Sequence, residues 1–220
     1  MKTVIFDLDG TLADTSADLI AAANACFDSL GHGPLLDPVK DASTAFRGGR
    51  AMLRLGFERL GQTDTDAFVD QQYHPFLGFY RDHIDIHTTL YPGVTDALDR
   101  LKAQDHRLGI CTNKPEGLAV TLVERLGISG FFGSLVGADT LPVRKPNPEP
   151  FQKCVRDSGG SLGGSVLIGD TDTDRKTARN AGVPCILVTF GPDGDGVAQY
   201  APEALLDGYD RLEEALQAVF

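Results

Sequence analysis

Two segments of the sequence run from consecutive apolar residues directly into carboxylates. The carboxylates are Asp7 and Asp9 near the N-terminus, and Asp170 and Asp174 in a second segment that begins at Val166. If these groups share one crevice, their mutual repulsion raises their pKa values and destabilises the fold unless a cation lies among them. Hard oxygen ligands without a nearby histidine or cysteine indicate Mg²⁺, which also binds substrate phosphate. The sequence therefore predicts a magnesium site formed by these aspartates.

The predicted elements bring the two acidic segments together. Residues 3–6 and 166–168 are apolar and favour β-structure, which is typical of strands buried on both faces of a parallel sheet. In an open α/β sheet, ligands bind outside the carboxyl ends of the strands, so both segments would open into one crevice. Each segment alone has a simpler interpretation. Asp and Gly are ordinary turn residues, and if a helix starts at Asp170, then Asp170 and Asp174 lie on one side of it as first-turn carboxylates that suit the helix dipole.

Two further segments could bind an anion at the same edge of the sheet. Thr112 and Asn113 follow the strand predicted at 107–111 and precede a helix, where a hydroxyl, an amide and free backbone N–H groups can donate to phosphate oxygens. Taken alone, either side chain could simply cap that helix. Lys145 precedes Pro146 in a proline-rich stretch, and the proline favours an extended, rigid backbone at the lysine. A lysine on a rigid loop is a candidate cation for phosphate, although the stretch alone also fits a stiff linker.

The rest of the chain predicts an α/β fold, a parallel sheet interrupted after its first strand by a helical insertion. No strand pattern interrupts residues 15–87, whose apolar residues recur at helical spacing. We expect a catalytic core formed by residues 1–14 and 88–220 and a helical cap formed by residues 15–87, joined by coil at 13–14 and 87–89. The later strands are predicted at 107–111, 135–137, 166–168, 185–188 and 204–206.

The order and spacing of four motifs resemble those of the haloacid dehalogenase superfamily. The motifs are DLDGT at residues 7–11, Thr112-Asn113, Lys145-Pro146, and Gly169-Asp170 with Asp174. The resemblance covers nearly the whole chain and implies a Rossmann-like α/β core, with helices on both faces of the sheet and an all-helical cap inserted after the first strand.

Position by position, the resemblance also implies roles. Asp7 would be the nucleophile that attacks phosphorus, while Asp9 would protonate the leaving alcohol and then activate water. Thr112, assisted by Asn113, would hold a phosphoryl oxygen, and Lys145 would neutralise charge on the nucleophile and the phosphate. The Mg²⁺ ligands would be the Asp7 carboxylate, the Asp9 backbone carbonyl and Asp170, with Asp174 supporting the site or orienting the lysine.

Within the superfamily, three further segments resemble those of phosphoglycolate phosphatases: Tyr91-Pro92-Gly93, Thr140-Leu141-Pro142 and Val188-Thr189-Phe190-Gly191. Asp9 favours phosphoryl transfer over dehalogenation, and Gly169 stands where sugar-phosphate mutases usually carry a glutamate. In the cap, Arg47 or Arg50 could pair with a substrate carboxylate, and the adjoining Gly48 is a further substrate-binding candidate. The expected substrate is 2-phosphoglycolate. The alternatives are a phosphatase or mutase acting on sugar phosphates, and a non-catalytic module that binds phosphate or metal.

Composition limits the classes of partner. Lys and Arg total 20 against 31 Asp and Glu, giving a net charge of -11, which argues against nucleic acid or an anionic membrane as the main partner. The four cysteines show no paired spacing, as expected for reduced thiols. We expect a cytoplasmic monomer or homodimer that acts on a small phosphorylated metabolite.

Overall fold

The computed structural model describes residues 2–220, and the chain divides into two compact units. One unit runs up to Ala13 and resumes at Leu90–Phe220, while the other is Asp14–Thr89. The functions expected of them, catalytic core and cap, stay predictions.

Eight strands occur in the described chain. They are β1 (Thr3–Phe6), β2 (Ala13–Asp14), β3 (Thr89–Leu90), β4 (Arg107–Cys111), β5 (Ser134–Val136), β6 (Ser165–Gly169), β7 (Cys185–Val188) and β8 (Ala204–Leu206). Six of them form one sheet in the order β5-β4-β1-β6-β7-β8, and each neighbouring pair is parallel. The predicted α/β fold with a parallel sheet is confirmed.

Nine α-helices accompany the strands in residues 2–220. They are α1 (Ser16–Ser29), α2 (Ala42–Ala45), α3 (Gly49–Arg59), α4 (Asp66–Asp82), α5 (Val94–Ala103), α6 (Glu116–Arg125), α7 (Glu149–Asp157), α8 (Asp172–Ala181) and α9 (Leu212–Val219). Short 3₁₀ turns lie at Ser129–Phe131, Leu162–Gly164, Gly194–Tyr200 and Tyr209–Arg211.

Strand β1 lies between β4 and β6 in the interior of the sheet, and every one of its side chains is buried. Val4, Ile5 and Phe6 are fully buried, as expected for a strand covered on both faces. In the parallel register, Phe6 lies opposite Ile110 of β4 and Ile168 of β6. The residues that follow these three strands therefore leave the sheet side by side, which places three of the four predicted motifs at one edge.

The second unit is helical, as the spacing of its apolar residues predicts. Phe27 of α1 packs edge-on against Phe57 of α3, with ring centroids 5.4 Å apart. A bidentate ion pair joins Arg59 to the buried Asp41, with both N–O distances 2.7 Å. The pair lowers the pKa of the Asp41 carboxyl, because the guanidinium donates directly to its oxygens. This unit is therefore held by its own apolar and ionic contacts.

Three local predictions are wrong. The short helix α2 was not expected, since four residues carry no resolvable period. The segments predicted as coil hinges contain β2 and β3, which pair with each other; two-residue strands leave no alternation to detect. Asp170 was considered for the same helix as Asp174, but α8 begins at Asp172. The capping box at Thr171 sets that start.

Two further findings concern the whole described chain. All four cysteines are buried as free thiols (Cys26, Cys111, Cys154 and Cys185). Within residues 2–220, the helices are too short or too polar for any to span a bilayer.

Packing at the centre of the sheet leads to a stability prediction. A Cβ at Gly109 of β4 would lie 2.7 Å from Cys154 Sγ and Ser158 Oγ and 2.9 Å from Ile5 Cδ1. We expect Gly109→Ala to lower the free energy of unfolding by about 1–3 kcal/mol, because overpacking a dense core forces neighbours to shift. Urea unfolding measures the change. Gly117→Ala is the control, since its Cβ would meet nothing within 4 Å, and an equal effect of both variants would contradict the packing argument.

Candidate active site

Asp7 follows β1 directly and is held from two sides. Its Oδ1 accepts a hydrogen bond of 2.8 Å from the Leu8 backbone amide and lies 3.1 Å from Lys145 Nζ. Burial is the largest cause that raises the pKa of Asp7, and with the carboxylates of Asp174 and Asp9 it brings the pKa to about 6, against the attraction of Lys145. The charged form of Asp7 is therefore less favourable in the folded, metal-free protein than in an exposed aspartate.

Lys145 is almost completely buried, with 1% of its side chain exposed. Burial alone would lower its pKa, but the carboxylates of Asp174 and Asp7 outweigh burial, and the pKa lies above its ordinary value. The shorter contact is to Asp174 Oδ1, at 2.6 Å. Asp174 Oδ2 accepts bonds from the Thr171 backbone amide at 3.1 Å and hydroxyl at 2.7 Å. Since both oxygens of Asp174 are engaged, its contacts favour orienting Lys145 over binding a metal.

Asp170 follows β6 and carries an unpaired oxygen. Its Oδ1 accepts a 3.3 Å hydrogen bond from Thr11 Oγ1. Its Oδ2 is buried and has no hydrogen-bond partner among the described residues. Burial raises the pKa of Asp170 well above its ordinary value, and the charges of Asp174 and Asp7 add to the effect. A buried carboxylate oxygen without a partner is unfavourable unless a cation or hydrogen-bond donor meets it.

These groups fit a divalent metal. Asp7, Asp170 and Asp174 each offer an oxygen within 4.8 Å of the others. The donors are carboxylate oxygens, which Mg²⁺ prefers, and the orphaned Oδ2 of Asp170 supplies a ligand without breaking an existing bond. The carboxylate donors and the unpaired Oδ2 of Asp170 therefore both agree with the predicted Mg²⁺ ion.

Asp9 is not a member of that triad, and its side chain has a different partner. Its Oδ1 is 2.7 Å from Lys114 Nζ. The metal role predicted for Asp9 therefore rests on its backbone carbonyl, while its side chain is directed to a lysine. The sequence analysis assigned Lys114 no role; the signal available was a cation directly after Thr112 and Asn113, at the predicted anion site.

Thr112 and Asn113 do not cap the helix that follows them. Helix α6 begins after Pro115 with no side-chain cap bond from that residue, and the Glu116 amide donates instead to Asp139 Oδ1 at 2.7 Å. Thr112 Oγ1 accepts a 3.1 Å bond from the backbone amide two residues on. Asn113 donates from Nδ2 to the backbone carbonyl of Lys145 at 3.1 Å. The amide of Asn113 thus fixes the loop that carries the buried lysine.

Tyr209 is a site-supporting residue that the sequence analysis missed. Its buried hydroxyl donates to the Thr11 carbonyl at 2.9 Å, and its ring packs on Phe190, with centroids 5.5 Å apart. The adjoining Gly191 lies so close to the Gly10 carbonyl that a Cβ would approach to 2.9 Å. The C-terminal segment therefore supports the loop after β1, a contact that sequence spacing cannot reveal.

Arg47 and Gly48 belong to the helical unit, in the loop before α3. Both are exposed, and Gly48 has a φ of 92°, which favours glycine. Arg50 has partners on its own unit: its guanidinium pairs with Asp70 at 2.5 Å and stacks 4.6 Å above the Tyr73 ring. Of the two arginines, Arg47 is therefore the better candidate for a substrate carboxylate.

A family comparison now decides the class of protein. A model of the haloacid dehalogenase-like hydrolases matches residues 4–188, a range that contains every core motif. The chain belongs to this family. The resemblance inferred from the four motifs is confirmed.

Members of the family resemble the chain over most of its length. It is 35% identical to a phosphoglycolate phosphatase of Agrobacterium fabrum, across 96% of this chain and 91% of that protein. It is 40% identical to a phosphoglycolate phosphatase of Chromobacterium violaceum, across 87% and 86% of the two proteins. A Haemophilus somnus structure, described as a predicted phosphoglycolate phosphatase, superposes with a TM-score of 0.84 at 24% identity, covering 97% of each chain. This last likeness confirms the fold.

The raised pKa of Asp7 predicts a pH-dependent gain in stability for Asp7→Asn. The folded protein binds the Asp7 proton more tightly than the unfolded chain, so ionisation destabilises the fold progressively as pH rises from about 4 to about 6. Asparagine removes that effect. In EDTA at pH 8, the variant should be more stable than wild type by on the order of 2 kcal/mol, with little difference near pH 4.

Thermal and urea unfolding at both pH values measure this gain. Asp99→Asn, which changes an exposed carboxylate on α5, is the control and should show no such pH-dependent gain. A loss of stability in Asp7→Asn at pH 8 would contradict the charge argument.

Proposed function

We propose that the protein is a Mg²⁺-dependent phosphatase that hydrolyses a small phosphate monoester, 2-phosphoglycolate, through an aspartyl-phosphate intermediate. The observation that carries the proposal is the buried Asp7 carboxylate, which lies 3.1 Å from Lys145 Nζ and beside the carboxylates of Asp170 and Asp174. The phosphoglycolate phosphatases among its relatives support the substrate.

The metal would be held by the Asp7 carboxylate, the Asp9 backbone carbonyl and Asp170. Thr11 orients Asp170 through its hydroxyl, which leaves the orphaned oxygen for the ion. When bound, Mg²⁺ offsets charge on the carboxylates and on the phosphoryl oxygens. The acidic cluster is otherwise repulsive, so the ion would also stabilise the folded protein.

In the first step, a carboxylate oxygen of Asp7 forms a bond to phosphorus while the ester P–O bond breaks. Asp9 gives its proton to the departing alkoxide, which leaves as the alcohol. Lys145 offsets the electrostatic repulsion between the Asp7 carboxylate and the phosphate dianion. Thr112 donates to a phosphoryl oxygen and fixes the direction of attack.

In the second step, Asp9 accepts a proton from water as the water oxygen attacks phosphorus. The acyl-phosphate bond breaks, which returns the Asp7 carboxylate and releases inorganic phosphate. Covalent catalysis divides hydrolysis into two easier displacements. Asp9 serves both because the proton it gives in the first step is recovered in the second.

The packing around Gly169 argues against a mutase. Enzymes of that type usually carry a glutamate at this position, but a Cβ at Gly169 would collide with the buried side chain of Asp174. Asp174 is itself fixed by Lys145 and by the capping box of α8, so it has little room to move. Glycine at this position therefore favours simple hydrolysis.

Asp7→Asn should abolish phosphatase activity, since the amide is a poor nucleophile and a poor Mg²⁺ ligand. Release of phosphate from 2-phosphoglycolate should fall by at least about 10³-fold, and wild-type activity should disappear in EDTA and return with added Mg²⁺. The Asp99→Asn protein is the control. Full activity in Asp7→Asn would refute the assignment of Asp7 as the nucleophile. An inactive wild type that still binds Mg²⁺ and phosphate would support the non-catalytic alternative.

Arg47 should contribute to recognition of the substrate carboxylate. Arg47→Gln should raise KM for 2-phosphoglycolate about tenfold, because a charge-assisted hydrogen bond is lost, with little change for p-nitrophenyl phosphate, which has no carboxylate. Arg54→Gln is the control, since Arg54 is paired with Asp66 at 2.6 Å. Equal effects of Arg47→Gln on both substrates would exclude the carboxylate contact.

A further inference from the structure

Lys114 is a second buried lysine at the site, and neither proposed chemical step assigns it a task. Only 4% of its side chain is exposed, and its Nζ lies 2.7 Å from Asp9 Oδ1. The Asp9 side chain is 19% exposed. Asp7 and Asp9 thus contact different ammonium groups, Asp7 that of Lys145 and Asp9 that of Lys114.

The backbone of Lys114 is fixed on both sides. Its amide donates to Thr112 Oγ1 at 3.1 Å, and its carbonyl accepts a 2.9 Å bond from the Ala138 amide. The ammonium therefore reaches Asp9 from a rigid loop between β4 and α6. Removing a lysine from water costs several kcal/mol, so a buried ion pair is weak evidence of a role in stability alone. The burial of Lys114 beside Asp9 therefore indicates a functional role.

The backbone next to Asp9 turns sharply. Gly10 has a φ of 80°, and the Leu12 and Ala13 amides both donate to the Leu8 carbonyl, at 3.0 and 3.1 Å. This turn fixes where the Asp9 side chain starts but not its rotamer. A charge-assisted hydrogen bond from Lys114 selects one rotamer, because such bonds are shorter and stronger than neutral ones.

We infer that Lys114 is a positioning residue that holds the Asp9 carboxylate in the geometry needed for both proton transfers. The inference rests on the proposed function, in which Asp9 first protonates the leaving group and then activates water. Both transfers need the carboxylate within hydrogen-bond reach of the reacting oxygen. Lys145 and Lys114 then have separate tasks: Lys145 serves nucleophilic attack and Lys114 serves proton transfer.

Two substrates separate these tasks. The p-nitrophenolate group leaves readily without a proton, whereas the alkoxide of 2-phosphoglycolate needs one. In Lys114→Met, the first turnover of p-nitrophenyl phosphate should be only slightly slowed, while breakdown of the aspartyl phosphate should slow at least about tenfold, since proton transfer by a positioned group contributes about 10²–10⁴-fold. Stopped-flow should therefore show a burst of about one nitrophenolate per enzyme, and acid-quenched samples should contain covalent phosphate.

With 2-phosphoglycolate, Lys114→Met should lower kcat more than it lowers the rate of the p-nitrophenolate burst, because both steps then need Asp9. Lys114→Arg, which keeps a cation, should recover part of kcat. Lys102→Met is the control, since Lys102 is exposed on α5, and it should match wild type in both assays. Lys114→Gln repeats the test if the methionine variant folds poorly.

The outcomes distinguish this inference from the proposed function. If wild-type protein hydrolyses both substrates but the Lys114 variants lose first-turnover and steady-state rates equally, or lose neither, the positioning role is wrong and the phosphatase stands. If wild type forms no aspartyl phosphate, the proposed mechanism fails and the inference fails with it. A selective loss of aspartyl-phosphate breakdown, with partial rescue by arginine, would establish the role.

Discussion

Charge crowding at the end of β1 is the constraint on which the rest of the site depends. Carboxylates from the loops after β1 and β6 converge in a buried region, where burial and mutual repulsion raise the pKa values of Asp7 and Asp170. Lys145 compensates only in part, and one oxygen of Asp170 stays unpaired within the described residues. This arrangement is unfavourable for folding alone but well suited to a dication and a phosphate dianion. The site therefore trades stability for electrostatic preorganisation.

Much of this arrangement could be predicted because it depends on local pattern. The apolar run before Asp7 predicted β1, and parallel pairing brought the ends of three strands together without further information. The sheet, its strands and the convergence of Asp7 and Asp170 followed from spacing, whereas the place of Lys145 beside the nucleophile followed from the resemblance to the family. Short elements did not, since the four residues of α2 and the two of β2 are too few to show a period.

Contacts between segments that are distant in the sequence could not be predicted either, for a different physical reason. Tyr209 supports the loop after β1 from almost two hundred residues away, and nothing in its local sequence distinguishes it from an ordinary core tyrosine. Lys114 directly follows the Thr112-Asn113 motif, yet only the 2.7 Å contact with Asp9 indicated its task. The partner of a side chain depends on tertiary packing, and no local sequence pattern around a single residue reveals that partner.

The identity of the phosphorylated group tests the central claim most directly. Asp9→Asn protein mixed with p-nitrophenyl phosphate, whose leaving group needs no proton, and then quenched in acid should retain the acyl phosphate, since its breakdown needs Asp9. Borohydride reduction converts an aspartyl phosphate to homoserine, and peptide mass spectrometry then locates the change. The account predicts homoserine at position 7 in place of Asp7. Reduction at another aspartate, or phosphate release with no covalent intermediate, would contradict it.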